Sequence, residues 1–214
     1  MNTKIKNIIF DLGGVILDID ENIVYKELAK MGIDTSELSH SKEFTEIMSK
    51  FDTGIYTAAT FRKKMKTWFG QEKMTDEKFD ALWNAVLLDI PRERIEAMEK
   101  VRQHYRIFLM SNTNEIHYDL YVRDLQLRFG YKEFDALFDK SYFSFAEHLE
   151  KPDRRFFELI LDHEGLLPEE TLFIDDSPKN IEAAKALGLK TYHIRRDELV
   201  RNLFSDGLLK DGVV

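Results

Sequence analysis

The sequence predicts an α/β protein: a Rossmann-like parallel sheet with helices on both faces and an inserted α-helical cap. Short apolar runs alternate with helical stretches after Pro91, the rhythm of a parallel sheet built by right-handed crossovers. Three of the apolar runs end in polar groups: Ile8-Ile9-Phe10 in Asp11, Ile107-Phe108-Leu109-Met110 in Ser111-Asn112, and Leu172-Phe173-Ile174 in Asp175-Asp176. Between the first run and Pro91 the pattern is helical throughout, which marks an insertion.

Residues 5–10 read as a short buried strand, and Val15-Ile16-Leu17 continues its apolar character after a turn. Helical stretches follow at residues 21–30, 36–49, 57–69 and 75–88. Leu38, Phe44, Ile47 and Met48 in the second, and Phe61, Met65, Trp68 and Phe69 in the third, recur with a 3.6 period. The fourth opens on Thr75-Asp76-Glu77, a helix start with acids in its first turn. Phe61, Trp68, Phe79 and Trp83 are expected to form the core of this bundle. Residues 51–55 form a turn inside it. A helix at 92–104 leads to a strand at 106–110, then to a helical or irregular stretch reaching about Phe134. A short strand is expected within 136–144, a helix at 153–163, a strand at 171–174, a helix at 180–187 closed by Gly188, a strand at 190–194, and a polar C-terminal helix. The expected division is a core of residues 1–18 and 91–214 and a cap of residues 19–90.

The chain has 214 residues, 43% of them hydrophobic, enough for one sizeable core plus an insertion. Its net charge of −8, without a long basic block, argues against nucleic acid and anionic membranes as partners. No cysteine is present, which excludes disulfides, thiol catalysis and thiolate metal sites. No stretch reads as a signal peptide or a bilayer span, so a cytoplasmic protein is the expectation. The sequence leaves the oligomeric state open.

The chemistry concentrates at the strand ends. In a parallel sheet these lie along one edge, where open α/β sheets bind ligands. Asp11 enters the turn Asp11-Leu12-Gly13-Gly14-Val15, whose glycines let backbone N–H groups point at a ligand. A carboxylate held there suits a nucleophile. Ser111 and Asn112 can hold oxygens, Lys151 before Pro152 can supply a cation, and Asp175-Asp176 suit Mg²⁺, which prefers a few carboxylate oxygens with waters and a phosphate. The bland alternatives are turn and cap roles for Asp11, Ser111-Asn112 and Asp175-Asp176. None of the 6 histidines has metal-ligand spacing, and only His148 lies near a motif.

Four segments in order, Phe10-Asp11-Leu12-Gly13-Gly14-Val15, Ser111-Asn112-Thr113, Lys151-Pro152-Asp153 and Asp175-Asp176-Ser177 with Asn180, resemble the haloacid dehalogenase (HAD) superfamily over nearly the whole chain. Within it, the glycine two residues after Asp11 and the stretch Leu17-Asp18-Ile19-Asp20 are most similar to bacterial alpha-D-glucose-1-phosphate phosphatases and their relatives. The resemblance implies a Mg²⁺-dependent phosphatase of small phosphorylated metabolites, a sugar phosphate first, working through an aspartyl phosphate. It implies Asp11 as nucleophile, Ser111, Asn112 and Lys151 on the phosphate, and Lys151 as the group that orients Asp11. It places the metal on Asp11, the Gly13 carbonyl and Asp176, with Asp175 as a direct or water-mediated ligand and Asn180 holding a ligand from behind. The alternatives are a 2-haloacid dehalogenase, which the paired acids disfavour, and a non-catalytic phosphate- or metal-binding protein.

Gly13 stands where many family phosphatases carry an aspartate that protonates the leaving oxygen. A positioned general acid is typically worth about 10²–10⁴-fold. A substitute from the cap, Asp18 or Asp20, or a leaving group needing less help, would offset its loss. Gly13→Asp is therefore expected to keep activity and widen the range of leaving groups. Rates across aryl phosphates of differing leaving-group acidity test this, and an unchanged profile would count against it.

Overall fold

The computed structural model describes residues 4–36, 41–195 and 198–213. Leu38, His40 and Arg196 lie outside them. Five strands form one parallel sheet in the order β3-β2-β1-β4-β5: β1 (Asn7–Phe10), β2 (Arg106–Ser111), β3 (Lys140–Phe143), β4 (Thr171–Asp175) and β5 (Lys190–His193). The central strand β1 pairs with β2 on one side and β4 on the other. The chain thus builds outward in one direction and then in the other, and the switch point lies at the end of β1.

Strand alternation divides the core into two layers. Ile8, Phe10, Ile107, Leu109, Leu172 and Ile174 point to one face, where α5 (Arg92–Val101) and α6 (Glu115–Phe129) contribute Met98, Val101, Tyr121 and Leu125. Ile9, Phe108, Met110 and Phe173 point to the other, against Phe156, Phe157 and Ile160 of α7 (Arg154–Glu164) and Ile181 and Ala184 of α8 (Pro178–Ala186). Both faces are covered, so the central strands carry continuous apolar runs, Ile8–Phe10 in β1, Ile107–Met110 in β2 and Leu172–Ile174 in β4.

The helices between β1 and α5 enclose a third apolar cluster. They are α1 (Glu21–Lys30), α2 (Lys42–Asp52), α3 (Ala58–Trp68) and α4 (Asp76–Trp83). Asp20, Ser41, Thr57 and Thr75 cap them through side-chain oxygens on backbone N–H groups. Phe51 and Phe61 stack at 3.9 Å, and Phe79 and Trp83 close on Phe61 edge-on. The chain leaves and re-enters the sheet layer through a short ribbon: Ile19 bridges Leu87, Asp18 N–H donates to Asp89 O at 2.8 Å, and Asp20 N–H donates to Val86 O at 2.9 Å.

The structure corrects several element boundaries. The second cap helix starts at Lys42, behind its cap Ser41, and runs through Asp52, so the turn is confined to Thr53-Gly54. The fourth ends at Trp83 because the next residues form a 3-10 turn (Asn84–Val86) that delivers Leu87 to the ribbon. Residues 136–139 are not strand: Phe134–Ala136 is a 3-10 turn, and the N–H groups of Leu137 and Phe138 both donate back to Phe134 O at 2.8 Å, so they are unavailable to a sheet ladder. No C-terminal helix forms among the described residues. Val200–Leu203 is a 3-10 turn, and Phe204–Ser205 pairs antiparallel with Leu208–Leu209 around Asp206-Gly207, both at positive φ. Phe204 instead packs 6.2 Å from Phe10. Among the described residues no helix is long and apolar enough to cross a membrane.

Phe61 is fully buried at the centre of the cap cluster. Phe61→Ala is expected to cost about 3–5 kcal/mol in urea unfolding; a cost below about 1 kcal/mol would show that the cluster carries little of the fold's stability.

Candidate functional site

Lys151 is 4% exposed, and its ammonium spends its three hydrogens on three strand ends. Nζ lies 2.8 Å from Asp11 Oδ1 after β1, 2.8 Å from the Met110 carbonyl in β2, and 2.8 Å from Asp175 Oδ2 at the end of β4. Asn112 holds the lysine's own backbone from both sides: Nδ2 donates to Lys151 O and Oδ1 accepts from Lys151 N–H, each at 2.8 Å. Ser111 is buried at the last position of β2, one residue before this clamp.

Asp175 is fully buried and its carboxylate is heavily used. Oδ1 accepts from Ser177 N–H at 2.8 Å and from Asn180 Nδ2 at 3.0 Å; Oδ2 accepts from Lys151 and from Asn180 Nδ2 at 3.1 Å. Asp176 lies across the first turn. Gly14 has φ +73, and a Cβ there would collide with the Asp176 carboxylate, so the turn needs glycine for both conformation and space. A Cβ on Gly13 would meet Ile19 Cδ1 at 3.3 Å, a tight but yielding contact. The structure thus gathers Asp11, Gly13, Asn112, Ser111, Lys151, Asp175, Asp176 and Asn180 on one sheet edge at the switch point.

Among the described residues, Asp11, Asp175 and Asp176 each offer a carboxylate oxygen within 4.8 Å of the others. Three carboxylates thus converge at this edge, those of Asp11 and Asp175 buried. Burial, the largest influence, raises the Asp11 carboxyl to about 7; Lys151 opposes this and Asp175 adds to it. Burial also works against the Lys151 charge, but Asp11 and Asp175 outweigh it and hold the ammonium above its ordinary value.

Asp18 and Asp20 have other work. Asp18 Oδ1 lies 2.6 Å from Arg94 Nη2, and the same guanidinium donates to Ile16 O at 3.1 Å, fixing the ribbon to α5. Asp20 Oδ1 accepts from Asn22 N–H at 3.0 Å as the cap of α1. His148 Nδ1 donates to Thr53 O at 2.8 Å and takes no part in the carboxylate cluster.

Sequence reasoning missed the layer above the site. Asn114, not Ser111 or Asn112, caps α6, its Oδ1 accepting from His117 N–H at 3.1 Å. Its Nδ2 donates to Asp52 Oδ1 at 3.0 Å, across from the helical layer. Burial raises the Asp52 carboxyl to about 7, Asn114 opposing this and Glu150 adding to it. Burial pulls the His117 imidazole down to about 4. The ring stacks on Trp83 at 5.9 Å beside an apolar cavity of about 270 Å³ walled by Val24, Leu28, Phe44 and Met48. The helix-cap pattern Asn114-Glu115 was visible in the sequence; the partner across the interface was not.

The fold and this edge define a doubly wound α/β hydrolase with a carboxylate–lysine site. A family model of haloacid dehalogenase-like hydrolases matches residues 5–188, and the chain belongs to that family. It is 30% identical to D-ribitol-5-phosphate phosphatase of Bacteroides thetaiotaomicron, over 88% of this chain and 91% of that protein. It is 25% identical to the sesquiterpene phosphatase astK of Aspergillus oryzae, over 91% of this chain and 92% of that one. Among solved structures, a HAD family enzyme of Bacteroides thetaiotaomicron, in complex with magnesium and inorganic phosphate, superposes with a TM-score of 0.83 at 32% identity, covering 94% of this chain and 100% of that chain.

An acid whose folded pKa exceeds its unfolded value loses stability as pH rises between the two, here from 3.8 to about 7 for Asp11. Asp11→Asn is therefore expected to raise the Tm of the metal-free protein at about pH 8 and to raise it less at about pH 5, where the pH has covered only the first part of that interval. A lower Tm at the higher pH would contradict the account.

Proposed function

We propose that the chain is a Mg²⁺-dependent phosphatase of small phosphorylated metabolites, sugar or polyol phosphates first. The observation that carries this is the Lys151 junction, which fixes a nucleophile-grade carboxylate beside two further acids at the switch point. The similarity to a D-ribitol-5-phosphate phosphatase over most of both chains supports the substrate class.

The donor set fits a hard divalent cation. It is all oxygen and compact. Asp11, Asp176 and the Gly13 carbonyl would hold the ion. Both oxygens of Asp175 already accept hydrogen bonds, so its part is to anchor Lys151 and reach the ion through water. Asn180 keeps Asp175 in place. When bound, the ion supplies positive charge against the phosphoryl oxygens.

In this reading Asp11 attacks phosphorus, a bond forms from its carboxylate oxygen, and the bond to the leaving oxygen breaks. Ser111 and the Asn112 backbone receive phosphoryl oxygens, and Lys151 offsets their charge while keeping Asp11 oriented. Water then cleaves the aspartyl phosphate and frees Asp11. Residues 19–90 act as a cap that shuts water out and selects the leaving group.

Phosphate release from an aryl phosphate and from a panel of sugar and polyol phosphates is expected to require Mg²⁺ and to fall by on the order of 10³-fold or more in Asp11→Asn. Turnover that survives both chelation and that substitution would sink the proposal, and halide release from 2-haloacids in its place would establish the dehalogenase alternative.

A further inference from the structure

The core turn carries glycine at position 13 and so cannot itself handle the leaving-group proton. The two acids nearest that turn in the chain are occupied, Asp18 with Arg94 and Asp20 with the start of α1. A third carboxyl, Asp52 on α2, accepts from Asn114 Nδ2, three residues beyond Ser111. We propose that Asp52, at the C-terminal end of α2, supplies the leaving-group proton that position 13 does not, an assignment that rests on the phosphatase reading.

Four contacts seat the end of α2 on the loops that form the site. Asn114 Nδ2, three residues beyond Ser111, donates to Asp52 Oδ1 at 3.0 Å. Ser49 Oγ donates to Glu150 Oε1 at 2.6 Å, immediately before Lys151. His148 Nδ1 holds the Thr53 carbonyl at 2.8 Å. Gly54, at φ +68, presses on the Phe145 carbonyl so closely that a Cβ would collide with it. Asp52 therefore lies between the residues that follow the phosphate-holding end of β2 and the residue that precedes the lysine. These two segments are the ones that Asn112 clamps together.

The local chemistry suits the task. Asn114 occupies Oδ1 as a donor, so the transferable proton belongs on Oδ2. Glu150 and burial both favour the neutral acid, and a carboxyl poised near 7 can give a proton and take one back at neutral pH. In the first step the Asp52 proton passes to the leaving oxygen as its bond to phosphorus breaks and the Asp11–phosphorus bond forms. In the second, the Asp52 carboxylate accepts a proton from water as that water bonds to phosphorus and the Asp11 oxygen departs. The acid is restored, and the products are an alcohol and phosphate.

The test is leaving-group dependence. In wild type with Mg²⁺, kcat/KM is expected to vary little between a phosphate ester of an acidic phenol and one of a primary alcohol. In Asp52→Asn the alkyl ester is expected to slow by about 10²–10⁴-fold and the acidic aryl ester by less than about tenfold. Asp52→Glu is expected to recover part of the alkyl rate. Equal losses on both esters would mean that Asp52 only seats α2, and would overturn the assignment. So would a wild-type rate that falls steeply with leaving-group basicity, a result independent of whether any variant folds. Release of phosphate from neither ester by wild type would sink the phosphatase reading itself.

Discussion

The buried Lys151 ammonium is the contact on which the site depends. Removing a charge from water costs several kcal/mol unless its partners are close and its hydrogens are all used. Here each hydrogen goes to a different strand end, so the charge is satisfied only when β1, β2 and β4 are in register. The same condition aligns Asp11 with Asp175. Sheet pairing and site geometry are therefore one constraint. The two-sided clamp by Asn112 extends it to the loop that delivers the lysine.

That junction sits in a cluster of acids. Asp11, Asp175 and Asp176 converge there, and burial keeps Asp11 well above its ordinary value despite the ion pair with Lys151. Retaining all three makes physical sense where a cation and a phosphoryl group complete the set. A carboxyl held this far above its ordinary value is a common mark of functional residues.

The sheet and the residues along its edge were legible in the sequence because each is a local pattern. An apolar run of strand length followed by Asp, Ser-Asn or Asp-Asp names both an element and its functional end. The cap helices were legible for the same reason, since Phe61, Phe79 and Trp83 recur with helical spacing and converge in space. What was not legible depends on contacts between distant segments. The run around Phe138 looks like a strand but is drawn into the core beside Phe10 and Phe134. The C-terminal segment looks helical but turns at Asp206-Gly207 to place Phe204 in the core. Asp52 looks like a turn residue in isolation, and only its place in the fold, beside Asn114 and Glu150, gives it a raised carboxyl.

The exchange of an acid at position 13 for one on α2 alters what closure accomplishes. An acid in the core turn is present whether or not the helical layer is seated, so water can be activated in an open site. An acid on α2 is present only when Ser49, Asp52, Thr53 and Gly54 rest on the loops after β2 and β3. Phosphoryl transfer to water would then require the contacts that also read the leaving group. Binding energy from the leaving group would be used to assemble the catalytic set, which is how induced closure converts recognition into rate. Ile19 Cδ1 lies 3.3 Å from where a Cβ on Gly13 would stand, so an acid in the core turn would need this apolar side chain to give by a few tenths of an ångström.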